Sequence, residues 1–483
     1  MRILIHGINF HPEAVGTGKY TGEMASWLAA RGHELRVVTA PPHFPQWRVS
    51  PGFRPLRYDW QEFSLPTGPA PMLAVPSSSQ AKKLAVCRCP IWVPKRPHGL
   101  KRLLHLASFA LGSLPVMLWQ ARWHPDLVLV VEPTFFCTPQ ALLVARWSGA
   151  RAWLHVQDFE VDAAFELGDI SAPRFKRWAL ALERRLLSAF DRVSTISSRM
   201  MDRLAQKGVD PSRCLLFPNW VDTNLIYPLP CASPLRMQLG IPQDTIVALY
   251  AGSMGMKQGL DLLANVARRL SGRTDLRFVF CGEGSYRQTL LEKSKDLPNV
   301  ILLPSQPSER LNDLLNLADI HLLPQRADAA DLVMPSKLTG MLASGRPVLA
   351  TAHHGTQLAT AVRGFGAVVP PDDPEAFASA LLELAADNDL RLALGQEARK
   401  HALAHLDSLV ILGQFEESLV AACGISAGRI KDEQRQRGTS GTLIRDLQTS
   451  IVEPSGTVAG ADTRKPRVCI EQEFVRHKLP LSK

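Results

Sequence analysis

Little in this chain could hold a metal or a disulfide framework. Its eight cysteines are scattered over 483 residues. The nearest pair, Cys87 and Cys89, is too close for the usual zinc spacing and has no second pair to complete a site. That excludes a zinc module or a small stapled fold and points to free thiols in a reducing compartment. A dinucleotide fingerprint is missing too, because Gly16-Thr17-Gly18 has no third glycine at the required spacing. MRILIHGINF at the start reads as a strand and not as a signal peptide. No unbroken apolar run reaches the roughly 20 residues of a membrane span. The nearest, Leu103–Ala121, is interrupted by His105 and Pro115 and reads as a buried or membrane-surface helix. Acidic residues are absent from Lys82 to Arg102, where Lys82, Lys83, Arg88, Lys95, Arg96, Lys101 and Arg102 stand. Such a run could face anionic lipid, a phosphorylated substrate, nucleic acid or plain water.

What is present is the text of a globular enzyme, 46% hydrophobic and 21% charged, with a net charge of +10. The length is too great for one core, so two domains with extras are expected. Residues 2–9 predict a strand, followed by the loop HPEAVGTGKYTGE and a helix through Ala29 that Gly32 ends; ELRVVTA is the next strand. This is the opening of a parallel α/β fold. Pro41–Pro97 reads as a long irregular excursion. Strands at 126–133, near 151–157 and at 191–197 complete a first half, and open α/β sheets bind ligands at the carboxyl ends of their strands. His155, Asp158, Glu160 and Asp162 therefore stand at a position of interest. From Asp244 the pattern restarts, giving two Rossmann-like domains that face a central cleft. The expected division is 1–222, 240–395, closing helices at 396–425 and a disordered tail at 426–483.

The stretch Leu322–Val348 organises the second half. A strand ends near Leu323, a polar loop carries Arg326, Asp328 and Asp331, and Pro335-Ser336 opens a helix that Gly345 closes. With Arg326 before it and Lys337 in its first turn, the helix start suits a diphosphate. An ordinary strand–loop–helix connection with surface charges is the alternative.

Taken together and in order, several pieces resemble one family. They are INFHPEAVGTGKYTGEMASWLAARGHELRVVTAPPHFPQW, LHVQDFEVDA, VSTISSRMM, FPNWVD, YAGSMGMKQGLDLL, CGEGS and ADLVMPSKLTGMLASGRPV. Over roughly residues 1–420 the chain resembles a GT-B glycosyltransferase of family 4, in the branch that builds colanic-acid exopolysaccharide. The resemblance implies that Gly16, Gly18 and Lys19 line the cleft near the donor diphosphate and the acceptor. Ser253 and Lys257 would lie in a diphosphate-binding loop. Gly282, Glu283 and Ser305 would border the nucleoside, and Arg326, Ser336 and Lys337 the diphosphate. Four positions depart from the family pattern. Gly340 stands where a glutamate often holds the ribose, Ser253 and Gln258 replace an arginine and a lysine, and Gln157 replaces a histidine.

The implied reaction moves a sugar, with GDP-fucose as the suggested donor and UDP-sugars open, to a glycan on a polyprenyl diphosphate. It would run with retention, without a metal or other cofactor, at the cytoplasmic face of an anionic membrane and without nucleic acid. Asp158 would steer the acceptor hydroxyl, while Lys337 and Arg326 would stabilise the departing diphosphate. Two other readings remain open on the residues alone: a sugar-nucleotide epimerase of similar architecture and a non-catalytic polysaccharide-assembly scaffold.

Overall fold

Short runs of Val, Ile and Leu that are apolar on both faces build most of the strands, and such strands call for helices on both sides. The computed structural model describes residues 1–13, 16–63, 84–95, 99–133, 135–159, 173–255, 258–326 and 335–424. Lys82, Lys83, Arg96, Glu160, Asp162, Lys257, Asp328, Asp331 and the tail from Ser426 lie outside them.

The first lobe has β1 (Arg2–His6), α1 (Gly16–Ala30), β2 (Glu34–Thr39), β3 (Asp59–Phe63), β4 (Leu84–Arg88), α2 (Leu100–Gln120), β5 (Leu127–Val131), α3 (Thr138–Ser148), β6 (Arg151–Val156), α4 (Pro173–Leu187), β7 (Arg192–Thr195), α5 (Ser198–Gln206) and β8 (Cys214–Leu216). Its sheet runs β3-β4-β2-β1-β5-β6-β7-β8. Only β3 is antiparallel to its neighbour. The Pro41–Pro97 stretch is therefore not wholly irregular. LAVCR within it is a buried strand added beside β2, with Val37 opposite Val86. Its proline- and serine-rich flanks hid a run of only five residues.

The second lobe continues with α6 (Pro234–Gln238), β9 (Ile246–Ala251), α7 (Leu260–Arg269), β10 (Leu276–Cys281), α8 (Arg287–Ser294), β11 (Val300–Leu303), α9 (Leu311–Leu315), β12 (Ile320–Leu323), α10 (Lys337–Ala343), β13 (Val348–Thr351), α11 (Gln357–Val362), β14 (Gly366–Val369), α12 (Pro374–Ala386), α13 (Asn388–His405) and α14 (Ser408–Ala422). Its sheet is parallel throughout, in the order β11-β10-β9-β12-β13-β14.

Arg88, counted with the surface charges from its sequence neighbourhood, is buried at the end of β4. Its guanidinium donates to the carbonyls of Ala40 and His11 at 3.1 and 2.6 Å and lies over the Phe53 ring. A planar cation with several donors can be buried when carbonyls satisfy them, so this charge serves the fold. Lys95 and Lys101 remain exposed. The long helix α2 is buried along one side, through Leu106, Phe109, Ser113, Met117 and Gln120. By length and composition alone it could cross a membrane, yet 39% of its most apolar window is covered by the lobe.

The chain crosses between the lobes twice, near Val221 and near Asp407. The crossings are bonded to each other: Val221 N–H donates to the Leu406 carbonyl at 2.8 Å, and Ser408 N–H donates to the Val221 carbonyl at 2.9 Å. After the second crossing α14 packs on the first lobe, with Ile411, Leu412, Phe415 and Leu419 among Trp153, Phe217 and Trp220. Phe415 stacks on Phe217 with centroids 3.7 Å apart and meets Trp153 edge-on. Glu416 accepts hydrogen bonds from Arg31 and His33, each at 2.9 Å. Burial alone would raise its carboxyl, but those two partners hold it below the usual range. Replacing Phe415 by Ala should destabilise the protein by about 3–5 kcal/mol, the usual loss for a buried aromatic. Denaturant unfolding monitored at the tryptophans checks this, and an unchanged midpoint would mean that α14 is only loosely docked.

Candidate active site

In an open parallel sheet, ligands gather where successive strands depart in opposite directions. In the first sheet that point lies between β1 and β5, because β2 and β4 go to one side of β1 and β5 to the other. In the second it lies between β9 and β12. The loop into α1 leaves the first point, and the β9 loop and α10 flank the second.

At the first point Glu13 anchors the loop. Its carboxylate accepts from the backbone N–H groups of His43 and Phe44 and from Asn9 Nδ2, at 2.8–2.9 Å. Burial raises this carboxyl, opposed by the bonds from Phe44, His43 and Asn9. A Cβ on Gly18 would stand 2.5 Å from Glu13 Oε2, so only glycine fits beside that carboxylate. Gly16 has φ +62°, which glycine adopts without strain. Lys19 lies 3.7 Å from Glu23 and over the Tyr20 ring. Trp220, in the interlobe connection, donates to Glu23 at 2.8 Å and meets Tyr20 edge-on at 5.0 Å. Burial raises the Tyr20 phenol, and the side chains of Thr339 and Ser336 lie near enough to oppose this, so α1 and the start of α10 come together across the cleft.

At the second point Lys337 folds back onto the end of β9. Its Nζ lies 4.3 Å from the Tyr250 ring centroid and donates to the Tyr250 hydroxyl at 3.2 Å. No carboxylate of the described residues lies within ion-pair distance of it. Burial without a counter-charge pushes this ammonium down to about 7. Helix α10 is only seven residues long, and Ser336 makes no capping bond. The local positive potential therefore rests on the lysine more than on the helix end.

The remaining positions divide. Ser253 contributes its backbone carbonyl, which accepts from the Tyr250 hydroxyl at 2.6 Å. Gly282 and Gly284 are set by backbone packing: added Cβ atoms would stand 1.8 Å from the Gly252 carbonyl oxygen and 2.3 Å from that of Met254. The two glycine loops thus form one unit, stitched by Met254 N–H to the Glu283 carbonyl. Glu283 points outward beside Arg287, and Ser305 is exposed. Arg326 is exposed and acts electrostatically on Asp261 at the start of α7. A Cβ on Gly340 would come 3.2 Å from Leu315, so that position packs against α9. Asp158 is half-buried just beyond β6. His155 is not a site residue. It is buried against Phe217, its Nδ1 is 3.0 Å from Ser194 Oγ, and burial lowers the imidazole to about 3. Tyr20, Glu23, Trp220 and Tyr250 were missed. Glu23 four residues after Lys19 was the one visible signal.

Two Rossmann-type lobes with their switch points opposed define the GT-B fold. Residues 15–220 match the glycosyl transferase 4-like domain, and residues 233–401 match the glycosyl transferases group 1 domain. The chain is 40% identical over 428 residues to the colanic acid biosynthesis glycosyl transferase WcaI of Escherichia coli (strain K12), covering 86% of this chain and 98% of that one. It is 27% identical to a D-inositol 3-phosphate glycosyltransferase of Kineococcus radiotolerans, over 62% and 72% of the two chains. Its fold is shared with sucrose-phosphate synthase from Thermosynechococcus elongatus, at TM-score 0.65, 17% identity and coverage of 87% and 100%. Anabaena HepE in complex with UDP-glucose matches at TM-score 0.60, 16% identity and coverage of 87% and 100%. The chain belongs to family 4 of the GT-B glycosyltransferases.

The state of Lys337 gives a pH prediction. With an ammonium depressed to about 7, the free enzyme is mostly neutral there in mild alkali, and a bound diphosphate would draw the proton back. Nucleoside diphosphate binding should then take up a proton between about pH 7.5 and 9, with affinity falling by up to about tenfold per pH unit. Calorimetry in buffers of different ionisation enthalpy measures the uptake. Lys337→Met should abolish it, and uptake persisting in that variant would assign the proton elsewhere.

Proposed function

We propose that this enzyme transfers a sugar from a nucleoside-diphosphate donor, with GDP-fucose the first candidate, to a polyprenyl-diphosphate-linked glycan in colanic-acid-like exopolysaccharide synthesis. The observation that carries this reading is the Lys337 ammonium, paired with no carboxylate of the described residues, at the switch point of the second sheet. The relationship to WcaI supports the pathway, and the exposed Arg326 supplies a further cation on the same edge. As the sugar–phosphate bond breaks, negative charge grows on the leaving diphosphate, and a cation already in place stabilises it without reorganisation. Asp158, from the opposite lobe, is the candidate to steer the acceptor hydroxyl. With no secure nucleophile on the donor face among the described residues, we take transfer to proceed with retention by return of the acceptor from the departing side. The residues named need no metal for this chemistry.

A lipid-linked acceptor requires the enzyme to work at a membrane. The outer side of α2 supports this. Leu104, Leu111 and Trp119 are 51%, 71% and 51% exposed, and Trp119 meets the half-exposed Trp60 edge-on at 5.6 Å. Lys95 and Lys101 stand exposed at the head of the same helix. Tryptophan and leucine with flanking lysines suit the headgroup region of an anionic bilayer.

Two experiments test the proposal. A panel of GDP- and UDP-sugars read by thermal shift should single out one donor, since a ligand that binds only the native state raises apparent stability. Lys337→Ala and Arg326→Ala should each lower transfer at least about tenfold, a loss of roughly 1.4 kcal/mol of transition-state contact. No donor binding at all would mark a scaffold, and nucleotide release without any acceptor would mark an epimerase. For the membrane, co-sedimentation with anionic vesicles should weaken with salt. It should fall several-fold when Leu111 and Trp119 become Ser, and fall further when Lys95 and Lys101 are neutralised. Binding that ignores these changes would place the lipid contact elsewhere.

A further inference from the structure

Tyr250 touches both elements that would meet the phosphates. It is the last residue but one of β9 and is fully buried. Three contacts converge on it. The Lys337 ammonium lies over its ring at 4.3 Å, Lys337 Nζ donates to its hydroxyl at 3.2 Å, and that hydroxyl donates to the Ser253 carbonyl at 2.6 Å. The lysine stem runs over Gly252, where an added Cβ would stand 3.4 Å from Lys337 Cδ.

We propose that Tyr250 is a positioning residue of the donor site. Its ring and hydroxyl seat the Lys337 ammonium and tie it to the Ser253 carbonyl, so that the cation of α10 and the loop after β9 are held in one register. This rests on the diphosphate reading of the cleft. The chemistry is directional. A phenol has one O–H, and here it is committed to Ser253, so its oxygen is left to accept from lysine. An ammonium has three N–H donors. One goes to Tyr250, and two remain for phosphate oxygens. The ring face adds attraction without adding a counter-charge, so the cation is held but not neutralised. A carboxylate at this position would hold the lysine more tightly and would also cancel the charge that attracts a diphosphate. Burial raises the Tyr250 hydroxyl above its ordinary value, which keeps it a donor at working pH.

The test is a double-mutant cycle on GDP and UDP affinity, measured by calorimetry. Tyr250→Phe keeps the ring and should weaken binding about fivefold, the scale of one hydrogen bond. Tyr250→Leu also removes the ring and should weaken it by more than about tenfold. In a Lys337→Met background both changes should have almost no effect, because the cation they seat is gone. A tyrosine that merely supported the fold would weaken binding equally in both backgrounds, and that additive result overturns the proposal. So does unchanged affinity in both single variants with melting temperatures near wild type. A second readout needs no donor. After reductive 13C-methylation, the Lys337 resonance should be displaced by the ring current in wild type and Tyr250→Phe, and should return to the ordinary lysine position in Tyr250→Leu. Absence of that displacement in wild type overturns the seating. If the displacement is present but neither GDP nor UDP binds wild type, the donor reading fails and the seating stands.

Discussion

The paired crossing at Val221 and Asp407 is the constraint on which the rest depends. Two backbone hydrogen bonds join the outgoing and returning strands of chain. Arg399 reinforces the junction, donating to the carbonyls of Thr223, Ile226 and Ala343 at 2.7–3.0 Å. The Ala343 carbonyl ends α10, so the junction is bonded to the helix that carries Lys337. Each sheet places its loops at its own carboxyl edge regardless of the other. The junction helps those edges face each other, with Tyr20 of one lobe against Ser336 and Thr339 of the other.

The electrostatics of the cleft follow from what is withheld. Burying charge without a partner is costly, and several buried charges among the described residues are paired: Arg236 with Asp319, Lys207 with Glu183, and Glu416 with Arg31 and His33. Lys337 is treated differently. It receives an aromatic face and a neutral hydroxyl, which lower the cost of burial without consuming the charge. Lys19 shows the other solution, with Glu23 beside it and Trp220 holding Glu23 in place.

Much of the fold was legible because periodicity and punctuation agree in it. LVLVV in β5 is apolar on both faces and buried on both, and Gly32 ends α1 as its position suggests. The strands β3 and β4 were hidden by their surroundings, since five residues between proline-rich segments carry too little pattern. The site was less legible, for reasons of parity and of distance along the chain. His155 stands at the carboxyl end of β6, yet alternation puts it on the same face as Trp153, turned toward Phe217 and the core. Arg88 reads as surface charge until its strand is placed beside β2, where carbonyls surround it. Tyr250 lies 87 residues from Lys337 and looks like one more apolar strand residue. Lys337, Arg326 and the loop at Gly16–Lys19 were visible because charge and glycine stood beside predicted strand ends.

The return of α14 to the first lobe has a consequence during synthesis. Trp153, Phe217 and Trp220 belong to a core whose last wall is Ile411, Leu412, Phe415 and Leu419. As the chain leaves the ribosome, the first lobe must wait through the whole second lobe before that wall arrives. During the interval, which at about 5–20 residues per second lasts on the order of ten to forty seconds, an aromatic surface is open to solvent and to chaperones. The first lobe is then not an autonomous folding unit in the order of translation. The second lobe can close behind its own sheet, but the first becomes complete only when nearly all of the folded body has been made.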